Sequence, residues 1–550
     1  MQHVTAKADI KKESLYIGLL ALLLFTLGLW DQPFVEFESR FALFAHEMWR
    51  HGPTWFPTTY SEPYPDYPGT STFFIWLCSL PFGGVTKLSA VLPTAIASAL
   101  TLAFSYHLLA RYSRLWALAT VCFEVLTLHF LSEARSISLD QMVTAITLLC
   151  FHVAFSSTSE QRLQTFWLGL LMVIGFAIRG PLGVVIPAGV VSCYYLLSAQ
   201  WKKLLHFALL ASCILLVCWL AMLALTSQVY GHDFMQDVIH MQVAGRMDLG
   251  EKPGHWYYFT SSMGNYAPSY PVAVVVILLL LVSRYNRLRK PLGNDVDSLL
   301  FYLVGWALVV LAGLSIPDTK KIRYILPMVP AISALAAYPF CEALYPHGLR
   351  AWTQLRLIVE KLLLVLPAVA LAALWKAFQY AQDEVVPLHI PFLAVAFLLI
   401  VTQALMSGLQ WRKPARTKTI SVLCGSAFTV WMLNLLVVEP AKQAIHDTHQ
   451  FVARVEALRL KKPGNIAFFR VGKDGSAIKY LVNLDYDLQP EFLMTPAEIN
   501  TLATNPVYLI LSDENLPLAQ QSTRVQHRVP VLHDLFNRDD YTVFYLPAAR

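Results

Sequence analysis

The sequence predicts an all-α, multi-span membrane protein with a small α/β domain at its C-terminal end. Three observations carry this expectation. Of 550 residues, 56% are apolar and 14% charged, and the mean hydropathy is +0.50, which excludes an ordinary water-soluble chain. Apolar runs of crossing length recur up to Val438, and beyond it the pattern changes to short β-type runs between polar, turn-rich segments. The formal net charge of +6 is small for this length and sits in short loops, so it reads as topology and not as a nucleic-acid surface.

Taken in order, Lys7, Lys11 and Lys12 precede the first apolar run, 15–30, and no small-residue cleavage signature follows it, so a retained signal anchor is expected. From Trp30 to Gly69 the chain is polar, aromatic and proline-rich, too wet for lipid. Within it Phe37, Phe41, Phe44 and Met48 recur at intervals of 4, 3 and 4, the apolar stripe of an amphipathic helix in the membrane interface. Residues 71–82 are apolar but too short to cross and read as an interfacial helix. Further crossings fall near 86–110, 114–131, 140–157, 164–180, 182–199, 203–226, 267–283, 298–316, 324–344, 357–378, 389–407 and 419–438, which makes about thirteen spans in all.

Cytoplasmic loops collect lysine and arginine. With the N-terminus cytoplasmic, the clearest basic loops all fall inside: Arg111 with Arg114, Lys202 with Lys203, Arg284 to Lys290, Arg350 with Arg356, and Arg412 to Lys418. The outside then holds loops 31–85, 132–139, 227–266, 317–323 and 379–388, the Arg179-Gly180-Pro181 turn, and the tail. The expected organisation is a transmembrane domain over 1–438 and an extracytoplasmic α/β domain over 439–550, with strands at Asn465–Arg470, Val507–Leu511 and Tyr541–Leu546. All eight cysteines lie in or beside apolar runs and read as small core residues.

Nearly every candidate for chemistry is on the outer side. Asp31, Glu36 and Glu38 stand where the chain leaves the first span, and Arg40 follows. Glu36 and Arg40 are four apart on the expected helix, and a simple pair there is worth only about 0.3–0.5 kcal/mol. Asp140, at the outer end of its span, is either a water-facing helix cap or the partner of Glu36 and Glu38 in a paired-carboxylate site. Arg135 either holds a phosphate or balances Glu133. The loop from Gly231 to Tyr258 carries His232, His240, Arg246, Lys252 and His255 among glycines and aromatics, which suits anion binding. Its histidines lack metal-ligand spacing, so no metal is assigned and a divalent cation stays open as a cofactor. Lys320, Lys321 and Arg323 lie outside, against the positive-inside tendency, and a phosphate-linked lipid would explain them.

The segments ESRFALFAHEM, TWFP and PYPDYPG in the first outer loop, the Arg-x-x-x-Leu-Asp stretch from Arg135 to Asp140, the Arg179-Gly180-Pro181 turn, His240, Arg246 and His255 to Tyr257, and the run from Lys320 through Tyr324 to Pro327 occur in one order along the chain. Together they resemble the GT-C glycosyltransferases, most closely the bacterial branch of the lipid A aminoarabinose transferase, related to protein O-mannosyltransferases. Two departures stand out. Aligned on Arg40, the family's first acidic position is Phe37 and its second is Glu38. Where the aminoarabinose branch has Glu-Lys-Pro-Pro, this chain has Asp66-Tyr67-Pro68-Gly69, so the lysine that would face a donor phosphate is missing and the resemblance does not carry that sugar or lipid A as substrates.

The resemblance implies a polyprenyl-phosphate-sugar donor, a lipid, glycan or protein acceptor, and inverting transfer at the outer face of a bacterial inner membrane. It implies Glu38 as general base with Glu36 as its substitute, Asp140 as supporting carboxylate, and Arg40, Arg246, Lys320, Lys321, Arg323 and Tyr324 on the donor phosphate. Asp66, Tyr67, His240 and His255 are acceptor or loop candidates. From other classes, a flippase for lipid-linked sugars would put its charges near the bilayer midplane, whereas here they crowd the outer loops; a non-catalytic lipid-sugar-binding protein is the third reading.

Overall fold

The computed structural model describes residues 2–156, 161–244, 254, 256–285, 295–341, 350–383, 390–411, 413–502 and 505–548. Helix α1 (Gln2–Thr26) leads into α2 (Glu38–His51), and α3 (Thr70–Ser79) extends by a 3-10 turn to Phe82. Then come α4 (Lys87–Ala110), α5 (Arg114–Leu126), α6 (Leu128–Ala134), α7 (Leu139–Phe155), α8 (Gln161–Arg179), α9 (Leu182–Leu197), α10 (Trp201–Tyr230) and α11 (His232–Ile239). Among the described residues seven helices are long and apolar enough to cross a membrane, and up to ten if each of three bent pairs is one span.

The bends have local causes. α5 and α6 meet at 76° because Thr127 is extended between them; its hydroxyl bonds back to the Phe123 carbonyl at 2.9 Å and pairs with the Ser269 hydroxyl at 2.7 Å, which satisfies the freed backbone. Arg350–Leu364 and Leu366–Gln379 meet at 40°, with Pro367 in the first turn of the second helix, where its missing N–H costs nothing. α8 and α9 form a tight hairpin through Gly180, whose φ of +61° suits glycine. A Cβ on Gly183 would lie 1.9 Å from the Gly175 carbonyl oxygen, so only glycine lets these two backbones approach.

The amphipathic segment is helical, and of its expected stripe Phe44 and Met48 are buried, whereas Phe41 is half-buried and Phe37 stands just before the helix. Its neighbours are partly those of the tail. His51 pairs with Asp487 at 2.8 Å, Arg50 meets the same carboxylate, the Tyr60 hydroxyl donates to the Lys473 carbonyl at 2.7 Å, and Arg40 donates to the Asp474 carbonyl at 3.1 Å. The tail therefore roofs the first outer loop.

The last bundle helix runs on past Val438 to Ile445, and the sheet follows it. Strands β3 (Asn465–Phe469), β4 (Glu491–Leu493), β5 (Val507–Ser512), β6 (Leu532–Phe536) and β7 (Asp539–Leu546) are ordered β4-β3-β5-β7-β6; β1 and β2 are the two-residue strands Thr58–Thr59 and Glu62–Pro63. β3 is parallel to both its neighbours, and β6–β7 is a hairpin whose two loop residues, Asn537 and Arg538, both have positive φ. Three strands match the expected ones. The charged β6, with one alternating face exposed, escapes an apolar-run reading. Among the described residues no cysteine is in a disulfide.

Candidate active site

A cavity of about 440 Å³ opens at one end of the bundle. Its wall is built from the 32–38 turn, the start of α4, α6 with residues 135–136, Tyr257, the 320–323 loop and the 434–443 helix end. Segments far apart in sequence thus converge here, all of them on the side expected to be outer.

Most of the cavity's carboxylates are tied to cations. Glu38 begins α2 with its side chain almost fully buried; it accepts from the Val35 N–H at 2.9 Å and the Ser136 hydroxyl at 3.0 Å, and it contacts the equally buried Lys87 ammonium. Glu36 precedes α2, at a φ of +56°, and pairs with His446 at 3.2 Å and Lys442 at 3.8 Å. The pair with Arg40 considered from the sequence does not form, because Glu36 lies outside the helix and Arg40 turns to the tail and to the Tyr64 ring. Asp140, in the first turn of α7, is buried, not a water-facing cap: it meets Arg179 at 2.9 Å and Arg323 at 3.4 Å. Arg135, in the cavity wall, does not balance Glu133. It caps the end of α1 by donating to the carbonyls of Leu24, Phe25 and Leu27, and it clasps Glu439 at 2.5 Å. Asp31 is exposed.

The cationic side is held by tyrosines. The buried Tyr258 hydroxyl donates to the Lys321 carbonyl and accepts its N–H, both at 3.1 Å, and the Tyr266 hydroxyl donates to the Ile322 carbonyl at 2.7 Å. Lys320, Lys321 and Arg323 line the cavity, and the Arg323 guanidinium lies 4.3 Å from the centre of the Phe37 ring. The aromatic residue at the family's acidic position thus faces a cation through its π-face. Burial, followed by Arg323, Arg40 and Arg179, lowers the Lys321 pKa from its ordinary value. Among the described residues no carboxylate lies within ion-pair distance of Lys321, so its ammonium is left for a ligand.

Behind this wall Arg179 is sandwiched near the rings of Tyr67 (4.9 Å) and Tyr324 (5.3 Å), so those two candidates orient a cation. The Asp66 carbonyl accepts from the buried Gln242 amide at 2.6 Å, tying the first outer loop to the 227–266 loop. His240 is exposed at the end of α11. Arg246, Lys252 and His255 lie outside the described residues. Among the described residues no group of three or more His, Cys, Asp or Glu side chains is placed to hold a metal ion.

Sequence reading missed Lys87, His129, Glu133, Glu439 and Lys442 as cavity residues. Lys87 had a usable signal: like the Lys320 to Arg323 group it is a cation beside an apolar span on the side expected to be outer. Glu133 Oε2 and His129 Nε2, buried in the wall, have no hydrogen-bond partner. Burial of that kind is set by tertiary packing.

A helical membrane bundle with a charged cavity at one end, under an amphipathic loop and an α/β roof, defines an architecture known from solved proteins. The chain superposes on the crystal structure of ArnT from Cupriavidus metallidurans in the apo state with a TM-score of 0.70 over 96% of this chain and 97% of that one, at 16% identity. The same protein bound to undecaprenyl phosphate gives 0.68 over the same shares. In sequence it is 26% identical over 316 residues to the undecaprenyl phosphate-alpha-4-amino-4-deoxy-L-arabinose arabinosyl transferase of Yersinia enterocolitica, covering 55% of this chain and 54% of that relative, so the match spans about half the relative's length. No protein-family model matches the sequence. The chain thus has the fold of ArnT and is similar in sequence to part of the arabinosyl transferases.

Proposed function

We propose that this protein is a membrane glycosyltransferase that moves a sugar from a polyprenyl-phosphate donor to an acceptor at the periplasmic face of a bacterial inner membrane, with inversion at the anomeric carbon. The observation that carries the reading is the cavity in which Lys87, Lys320, Lys321 and Arg323 gather at the end of an apolar bundle. A prenyl chain is at home in lipid, and its phosphate is the one strongly anionic part that needs such a cluster. One relative of the same fold was crystallised with undecaprenyl phosphate, and another is named as a transferase using it. The thirteen-span topology, the cytoplasmic N-terminus and the periplasmic tail belong to this reading, supported by the basic loops at the other end of the bundle.

In transfer, an acceptor oxygen attacks the anomeric carbon, the bond from that carbon to the phosphate oxygen breaks, and the electron pair leaves on the phosphate. Lys320, Lys321 and Arg323 neutralise that growing charge in a buried setting, where it matters most. Glu38 takes the proton of a hydroxyl acceptor; a phosphate acceptor, already anionic, needs no base. Asp140 acts through Arg323 and Arg179 as a positioning residue. Arg246, on the 227–266 loop, adds to the phosphate cluster. Glu36 remains the substitute base at the cavity rim, while Arg40 and Tyr324 shape the site through Tyr64 and Arg179.

The test is transfer of radiolabelled sugar from a panel of undecaprenyl-phosphate monosaccharides in membranes holding the wild type or Lys321→Met, with lipid, polysaccharide and protein products separated. Label entering one fraction with the wild type, and greatly reduced with the variant, supports the reading and names the acceptor class. A folded wild type that moves no label from any donor while carrying the intact lipid across the membrane would replace it with a transporter.

A further inference from the structure

The base assigned above is not available in the resting cavity. Three donors converge on Glu38: the Val35 N–H, the Ser136 hydroxyl and the Lys87 ammonium. The last is a buried ion pair, with side chains only 5% and 3% exposed, and both partners line the cavity. Both oxygens of the carboxylate are therefore already engaged by donors of the protein. Lys87 is equally engaged, so it is not yet a free phosphate ligand.

Resting on the glycosyltransferase reading, we propose that Glu38 and Lys87 form a donor-gated latch: the donor phosphate competes with Glu38 for Lys87, and its binding frees the carboxylate to act on the acceptor. Three features support an exchange. The pair is in the cavity wall and not behind it, in contrast to Asp140 with Arg179. Lys87 starts α4, its ammonium lies 5.8 Å from the centre of the Phe34 ring, and a lysine's four-carbon stem lets the head turn without backbone movement. Lys321 adds a second cation to receive the phosphate. The pairing at Lys87 is conserved, since one anion replaces another there, and Glu38 keeps the Val35 and Ser136 donors to hold it in position. Before donor arrives the base is masked, which protects the site from activating water unproductively.

The latch makes a prediction of unusual sign. Glu38→Gln removes the anion that competes with phosphate for Lys87, so undecaprenyl phosphate binds more tightly, by about tenfold or more, because the buried ion pair no longer has to be broken on binding. The same variant loses turnover. Lys87→Met binds more weakly, and in the Glu38→Gln/Lys87→Met double variant the glutamine gives no further tightening, because the competition runs through the lysine. Binding of undecaprenyl phosphate to purified protein in nanodiscs is measured for all four forms, with thermal unfolding of the same samples as the fold control. Glu38→Gln that binds at wild-type strength or weaker while remaining folded overturns the latch; if Glu38→Gln alone is unstable, Glu38→Asp, too short to hold Lys87, must also tighten binding. A folded wild type that does not bind undecaprenyl phosphate overturns the donor reading itself, and the latch with it.

Discussion

Asp140→Asn tests how the wall of the cavity is held. Asp140 and Arg179 meet at 2.9 Å with side chains only 6% and 3% exposed, so neither group is solvated. Breaking a pair buried this deeply costs about 3–5 kcal/mol, because the remaining charge is stranded. Arg179 keeps the faces of Tyr67 and Tyr324 at 4.9 and 5.3 Å, and cation–π contact at about 0.5–2 kcal/mol recovers part of this. The expected loss is therefore about 3 kcal/mol, near the low end. Pairing the change with Arg179→Met removes the stranded charge, and the double variant should recover most of the loss. The exposed counterpart is Asp487→Asn, whose partner Arg50 and own side chain are 18% and 36% exposed; a pair of that kind is worth about 1 kcal/mol at most. Equilibrium unfolding in detergent micelles, followed by tryptophan fluorescence, measures all of these. Asp140→Asn within about 0.5 kcal/mol of wild type, or a double variant worse than either single change, would refute the argument that burial gives this pair its weight.

Three further outcomes are expected. Gly183→Ala must force α8 from α9, since its Cβ would sit 1.9 Å from a backbone oxygen; it should cost at least about 1–3 kcal/mol in the same unfolding assay, whereas Gly313→Ala, with nothing within 4 Å, should not. Glu36→Gly removes a left-handed strain at φ +56° worth about 1–2 kcal/mol, and because the half-exposed ion pairs it gives up are weak, it should bind and fold at least as well as Glu36→Ala. For pH, the Lys321 pKa is lowered in the free protein, and a bound phosphate raises it again. Affinity for undecaprenyl phosphate is therefore full below the lowered value and falls as pH rises through it. The alkaline limb of a binding titration should begin below the ordinary lysine range and move upward in Lys321→Arg, and an unchanged limb would count against Lys321 as a phosphate ligand.

Much of this protein was legible in one dimension, for reasons that are local. A lipid-spanning helix satisfies its backbone within itself and must be apolar along its length, so each crossing leaves a run that composition alone detects. Each run read from the sequence contains helix in the structure, and half of the amphipathic stripe, Phe44 and Met48, is buried along α2. Lys320, Lys321 and Arg323 were visible because cations beside spans on the side expected to be outer break a statistical rule, and all three line the cavity.

What the chain alone could not decide is which charges neutralise each other, because that depends on residues tens to hundreds of positions apart. Glu38 reads as a free carboxylate until α4 brings Lys87 against it; Asp140 reads as a helix cap until α8 and the 320–323 loop deliver Arg179 and Arg323. Arg135 reads as the partner of a phosphate or of Glu133, and the fold gives it Glu439 and the open carbonyls of α1. Apolarity is a property of each segment, and the sequence carries it in full. Coulomb energy is a property of pairs that grows as water is excluded, and only the packed bundle determines which pairs are close and dry.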